Sequence, residues 1–251
     1  MKTLLKRSAP AKLVGSGRHR SFCALRQGQP TGARLRGLTK RLAAKVWSDG
    51  TLPREAIESA VPRGGWRGQG GGMRRGRAVD AQVSREVNAG KVRPKSGQYS
   101  VTRLVSAALE EHGLEPVMAQ RAVCSTAIQV GTAADVLCHE ARTGMMYVVE
   151  LKCGCSGNKM ATARGSGGKP LKMKRPMSSV PDCVLHRHML QLACTRELLV
   201  RETDTMKRLM ALGVDAVVGG CLLYVDDENT ELHTLCDYWE RRAARVLAAL
   251  K

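Results

Sequence analysis

Residues 130–152 read VGTAADVLCHEARTGMMYVVELK, and two apolar runs in this stretch flank the turn-forming residues 142–144. Such runs, joined by a short turn that contains Gly, are typical of an antiparallel β-hairpin. Because side chains alternate between the two faces of a strand, Glu150 and Lys152 point to one face and Leu151 to the other. If the strands pair across the turn, Asp135 approaches the same end of the sheet. Two carboxylates and one ammonium group are then predicted to share a small site.

The sequence outside this hairpin predicts a mixed β-sheet flanked by helices, an α/β (α+β) fold. Hydrophobic periodicity predicts helices over residues 78–88, 101–112, 184–201 and 237–251. Apolar or β-branched runs between turn residues predict strands over 115–130, 134–140, 145–151, 214–226 and 231–236. A short amphipathic helix is also expected over residues 38–47.

The chain divides by composition into a basic N-terminal region and a folded domain. Residues 1–76 are rich in Arg, Lys and Gly, and we expect them to be largely flexible. Residues 77–251 are predicted to form the domain, with a basic, flexible loop insertion at 153–181 that lacks a hydrophobic period. Trp66, within the Gly/Arg-rich stretch, could stack on single-stranded nucleic acid or belong to a plain linker.

Charge indicates the class of partner. The 251-residue chain has a formal net charge of +19, which favours the capture of polyanions. DNA is the expected partner, and RNA stays open. No apolar stretch is long enough to cross a bilayer, so no membrane partner is expected. Residues 1–48 contain no Asp or Glu, which is typical of a transit peptide, a nuclear signal or a nucleic-acid-binding arm. Without a secretory signal, the nine cysteines are expected to be reduced in an intracellular protein.

The grouping of Asp135, Glu150 and Lys152 suits phosphodiester hydrolysis. Carboxylate oxygens are ligands for Mg²⁺ or Mn²⁺, and such a cation lowers the pKa of a bound water. A lysine nearby can orient that water or offset the charge that develops on the phosphate. The alternative is a solvated strand edge on which Glu150 and Lys152 form a simple ion pair, which is common for an isolated E-x-K triplet.

A helix downstream adds two polar side chains to this set. His188 and Gln191 lie three residues apart on the predicted helix over 184–201 and are therefore neighbours on one side of it. They either face the metal site or a substrate phosphate, or form a polar pair on an exposed flank. Cys153, Cys155 and Cys183 with a nearby histidine also permit a zinc site, although their spacing is irregular.

The series G-x-x-x-D, V-V-E-L-K and H-x-x-Q resembles the PD-(D/E)XK nuclease superfamily, in particular its RecB-like and phage lambda exonuclease-like branch. The resemblance covers residues 78–251. It implies a restriction-endonuclease-like core and Mg²⁺-dependent cleavage of DNA, often from an end, in replication, recombination or repair. It departs from the family where Ala134 replaces the Pro before the aspartate and Thr195 replaces a Tyr.

The resemblance also implies roles for individual residues. Asp135 and Glu150 match the metal ligands and the backbone carbonyl of Leu151 an accessory ligand. Lys152 matches the catalytic lysine and Gln191 the helix glutamine. A further acid on the first core helix would be Asp80 or Glu86.

Basic side chains are expected to hold the nucleic-acid backbone. The candidates lie before the first core helix and in the insertion, together with one helix histidine: Arg74, Arg75, Arg77, Lys169, Lys172, Lys174, Arg175 and His188.

Overall fold

The computed structural model describes residues 9–14, 21–26, 29–57, 71–89, 100–154, 157–202, 206–207, 210–211 and 217–251. The strands of this part of the chain are β1 (Ala9–Val14), β2 (Ser21–Arg26), β3 (Gln29–Gly37), β4 (Leu114–Ser125), β5 (Val130–Glu140), β6 (Met145–Cys153), β7 (Val217–Val225) and β8 (Thr230–Thr234). The helices are α1 (Leu38–Lys45), α2 (Arg54–Ile57), α3 (Gly71–Asn88), α4 (Ser100–Glu111), α5 (Val184–Val200) and α6 (Asp237–Ala249).

The strands form one mixed sheet in the order β3-β2-β1-β4-β5-β6-β7-β8. Strands β6 and β7 run parallel, with α5 in the connection between them, and the other neighbours in this order are antiparallel. Strand β3 also pairs in parallel with the start of β5. The predicted mixed sheet flanked by helices is therefore confirmed.

Side chains along the hairpin strands alternate between the two faces of the sheet, and each face packs into its own apolar layer. Leu137 and Val148 face the layer that contains α1, α5 and α6, whereas Val136 and Val149 face α3 and α4. Helices α3 and α4 contribute valines spaced four residues apart, which place one apolar stripe against the sheet. Among the described residues, no helix is both long enough and apolar enough to span a bilayer.

The N-terminal region differs from the prediction that residues 1–76 are largely flexible. The predicted helix over 38–47 forms as α1, and Leu38, Leu42 and Val46 are buried in the main core. Strands β1–β3 extend the sheet. Helix α3 begins at Gly71 although the Gly-rich composition of its first turn does not favour a helix, and Arg75, which follows that turn, pairs with Asp227. Trp66 lies outside the described residues.

The predicted flexible insertion over 153–181 is also wrong for its described residues from 157 onward. Isolated bridges join Thr51 to Arg164 and Lys172 to Pro181, and three apolar side chains enter the main core: Met173, Met177 and Val180. The buried carboxylate of Asp182 accepts hydrogen bonds from the Ser48 backbone N–H at 2.7 Å and its hydroxyl at 2.6 Å. The insertion is thus folded against the end of α1 through contacts that are remote in sequence.

Candidate active site

The hydrogen-bonded pairing of β5 with β6 ends beside the predicted site. The last pair in the ladder is Val136 with Val149, and the next residues on the two strands are Asp135 and Glu150. Beyond this point, the Asp135 Oδ2 atom accepts a hydrogen bond of 2.9 Å from the Leu151 backbone N–H. A side chain therefore links the strands where the backbone ladder stops.

Glu150 is the centre of the site and is only 2% exposed. Its Oε1 atom accepts hydrogen bonds from the Lys152 ammonium group and from the side-chain amide of Gln191 on α5. Its Oε2 atom is buried and has no hydrogen-bond partner among the described residues. Because a buried carboxylate oxygen without a partner is costly, this atom is an available ligand position.

A cleft opens from these side chains toward α3. Its volume is about 230 Å³, and it is lined by Gly76, Arg77, Asp80, Asp135, Glu150, Leu151, Lys152 and Cys153. The structure therefore brings Asp80, Asp135, Glu150 and Lys152 together around one opening, with Gln191 behind Glu150. The sequence-predicted Glu86 is also on α3, but it is not among the residues that line the cleft.

Gln120 on β4 belongs to the same group and was not predicted from the sequence. Its Nε2 atom donates to Asp80 Oδ1 at 2.7 Å and is 3.3 Å from Asp135 Oδ1. The amide therefore bridges a helix carboxylate and a strand carboxylate. A glutamine in a strand has no distinguishing sequence pattern, so only the three-dimensional arrangement reveals its place in the site.

Burial raises the pKa of both strand carboxylates, and the charge of Asp135 adds to the effect at Glu150. Burial raises the pKa of Asp135, although Lys152 and the hydrogen bonds from Leu151 and Gln120 oppose that change. Burial, followed by the charge of Asp135, raises the pKa of Glu150 to about 7, and Lys152 again acts in the opposite direction. Two ionised carboxylates are therefore unfavourable here without a further positive charge, which a divalent cation would supply.

The residues present fit a hard divalent cation that takes only part of its coordination from the protein. Within the described residues, no three or more His, Cys, Asp or Glu side chains already form a ready-made metal cluster. Magnesium is commonly held by one or two carboxylates, with waters and substrate phosphates completing its octahedron. Asp135 and the buried Oε2 atom of Glu150 meet that requirement, with Asp80 and Leu151 on the cleft wall.

The basic residues predicted near α3 have different surroundings. Arg77 lines the cleft, and Arg74 is exposed. Arg75, by contrast, is 3% exposed and forms two hydrogen bonds with the Asp227 carboxylate, at 2.7 and 3.2 Å. The prediction that Arg75 binds nucleic acid is therefore corrected, because its guanidinium group is already used to fix the start of α3.

The predicted binding residues of the insertion are mostly at the surface. Lys169, Lys172 and Arg175 are exposed, whereas Lys174 forms an ion pair with Asp49 at 2.6 Å. His188 lies on α5 with its Nδ1 atom 2.8 Å from the Tyr224 hydroxyl. Burial, followed by the charges of Lys152 and Arg187, lowers the pKa of His188 well below its usual value. A neutral imidazole does not supply the positive charge expected of a phosphate-binding residue.

No model of a known protein family matches the chain, and no curated protein matches it significantly.

Proposed function

We propose that the protein is a metal-dependent nuclease that hydrolyses phosphodiester bonds of DNA. The observation that carries this proposal is the convergence of Asp135, Glu150 and Lys152 where β5 and β6 part, at an open cleft. Glu150 adds a buried oxygen that has no hydrogen-bond partner among the described residues. A solvated strand-edge ion pair, the alternative raised by the sequence, would not account for a 2% exposed carboxylate beside a second carboxylate.

In this proposal Asp135 and Glu150 hold Mg²⁺ or Mn²⁺. The bound cation supplies Lewis acidity toward the phosphate and lowers the pKa of a water. Lys152 orients the attacking water and offsets negative charge on the phosphate in the transition state. Gln191 keeps Glu150 oriented through the hydrogen bond to Oε1. Asp80 supplies a further carboxylate from α3.

Basic side chains would bring the nucleic-acid backbone to the cleft. Arg77 lies on the cleft wall, and Arg74 is exposed on the same helix. Lys169, Lys172 and Arg175 provide exposed charge on the folded insertion. Such side chains contact phosphates, which are the same for every base sequence, so we propose sequence-independent binding. Cleavage from a DNA end, in replication, recombination or repair, rests on the family resemblance alone.

The test is incubation of the full chain with linear and with circular DNA, in Mg²⁺ or in EDTA. We expect cleavage in Mg²⁺ that EDTA abolishes. Degradation of the linear substrate only would establish dependence on an end. Lys152→Ala should reduce the rate by about 100-fold or more, as expected for the loss of a group that acts on the transition state.

Two controls separate catalysis from binding and folding. Lys45→Ala removes an exposed lysine of α1 and should leave the rate unchanged. Lys152→Ala should still bind DNA, with an affinity that falls as salt rises. Wild-type protein that binds DNA but cleaves neither DNA nor RNA in Mg²⁺ or Mn²⁺ would contradict the proposal and indicate a non-catalytic nucleic-acid-binding protein.

A further inference from the structure

Gln120 has a backbone conformation that is unusual for a strand residue. Its φ is +54°, in the left-handed region that L side chains other than Asn and Asp seldom adopt. The β4–β5 ladder pairs Ala119 with Val136 and Arg121 with Ala134, and it omits the pair of Gln120 with Asp135 between them. The ladder is therefore interrupted directly opposite a proposed metal ligand.

Contacts on both sides of Gln120 hold this conformation in place. The Ala119 backbone N–H donates to Asn88 Oδ1 at the end of α3, at 3.1 Å. On the other side, the Arg121 guanidinium group contacts the Glu202 carboxylate, also at 3.1 Å, and Glu202 is buried. A strained backbone conformation persists where contacts with several neighbouring elements constrain it. Such positions are concentrated at functional sites.

The result of this strain is the placement of one amide group. Its nitrogen donates to Asp80 at 2.7 Å and lies 3.3 Å from Asp135. Asp80 belongs to α3 and Asp135 to β5, and like charges on two elements would otherwise push them apart. The amide thus fixes the orientation of both carboxylates, while Asp135 Oδ2 is fixed separately by the Leu151 N–H.

We infer that Gln120 is a positioning residue that fixes the orientation of Asp80 and Asp135 beside the proposed cation site; this inference rests on the proposed function. Gln120 itself does not touch the reacting atoms. Outer partners of this kind orient the ligands of metal sites, and their loss typically weakens metal binding by about 10-fold to 100-fold.

The test is the affinity of the full chain for Mn²⁺, measured by electron paramagnetic resonance of the free ion, with the melting temperature measured in parallel. Gln120→Gly removes the amide and relieves the positive φ, whereas Gln120→Met removes the amide but keeps the length of the side chain and the positive φ. Gln129→Gly is the matched control, because Gln129 has a φ of +52° at an exposed turn and does not line the cleft.

We expect both Gln120 variants to bind Mn²⁺ about 10-fold or more weakly, with Gln120→Gly melting at or above the wild-type temperature. Gln129→Gly should bind Mn²⁺ as the wild type does. Wild-type affinity in both Gln120 variants, or a loss of affinity that occurs only together with a lower melting temperature, would overturn the inference and leave the proposed nuclease standing. If the wild-type chain does not bind Mn²⁺, and Asp135→Asn gives the same Mn²⁺ titration as the wild type, both the inference on Gln120 and the proposed nuclease are overturned.

Discussion

Replacing Glu150 by Gln should stabilise the metal-free protein, by an amount that increases with pH. In the folded protein the pKa of this carboxyl is about 7, against an ordinary value of 4.5 that applies to the unfolded chain. Below pH 4.5 the group is protonated in both states and contributes no penalty. As pH rises toward 7, the unfolded chain ionises first, so folding becomes progressively less favourable.

The size of the effect follows from the two pKa values. Each pH unit between them costs roughly 1.4 kcal/mol, so the buried carboxylate destabilises the fold by about 3 kcal/mol above pH 7. The amide introduced by Glu150→Gln would keep an oxygen for the Gln191 amide and for Lys152. The folded-state pKa already includes the attraction of Lys152, so that ion pair needs no separate correction, and we expect a net stabilisation of about 3 kcal/mol at pH 8.

The assay is equilibrium urea denaturation from pH 4 to pH 9 in EDTA, followed by tryptophan fluorescence. The free energy of unfolding of Glu150→Gln minus that of the wild type should be smallest at pH 4 and should level off above pH 7. Glu110→Gln, which changes an exposed carboxylate of α4, is the control and should show a flat difference. Addition of Mg²⁺ at pH 8 should stabilise the wild type alone. Parallel stability curves for the wild type and Glu150→Gln would refute the reasoning.

Three further predictions concern the core, a buried ion pair and the binding surface. Leu42→Ala, at a fully buried position of α1, should lower the free energy of unfolding by about 2–5 kcal/mol in urea, whereas a change below about 0.5 kcal/mol would place α1 outside the folded core. Asp227→Asn should cost about 3 kcal/mol in the same assay, because Arg75 would keep a buried charge without its carboxylate, and an unchanged midpoint would contradict this. Lys169→Ala combined with Lys172→Ala should reduce the slope of log affinity for DNA against log salt by about 2, measured by fluorescence anisotropy, and an unchanged slope would exclude both as phosphate contacts.

The hairpin and helices of the central region could be predicted from local patterns. Alternation identifies the strands around residues 142–144, and the periodicity of residues 184–201 identifies α5, which brings Gln191 to Glu150. The E-x-K spacing alone places two polar groups on one strand face. These features depend on residues close together in sequence, and for that reason the grouping of Asp135, Glu150 and Lys152 was also predictable.

The features that the sequence did not reveal depend on contacts between distant segments. Helix α3 begins at Gly71 rather than at the predicted residue 78, because Arg75 pairs with Asp227 in the turn after β7. The insertion folds because its apolar side chains pack in the main core and isolated β-bridges hold its backbone. Its sequence has no regular hydrophobic period that would have indicated this. Gln120 reaches the site because its backbone has a positive φ, and contacts of its neighbours with other elements hold that conformation. Local propensity cannot predict such cases, since tertiary contacts override it.

The bonds between Ser48 and Asp182 have a consequence for protein synthesis. They join residues 134 positions apart, so the carboxylate that secures the end of α1 is translated long after that helix. At the usual speed of a ribosome, this separation corresponds to a delay on the order of 10 s. During that interval the apolar side of α1 lacks α5 and the insertion as packing partners. The apolar residues of this helix, Leu38, Leu42 and Val46, therefore wait for their native core partners until the second half of the chain has been made.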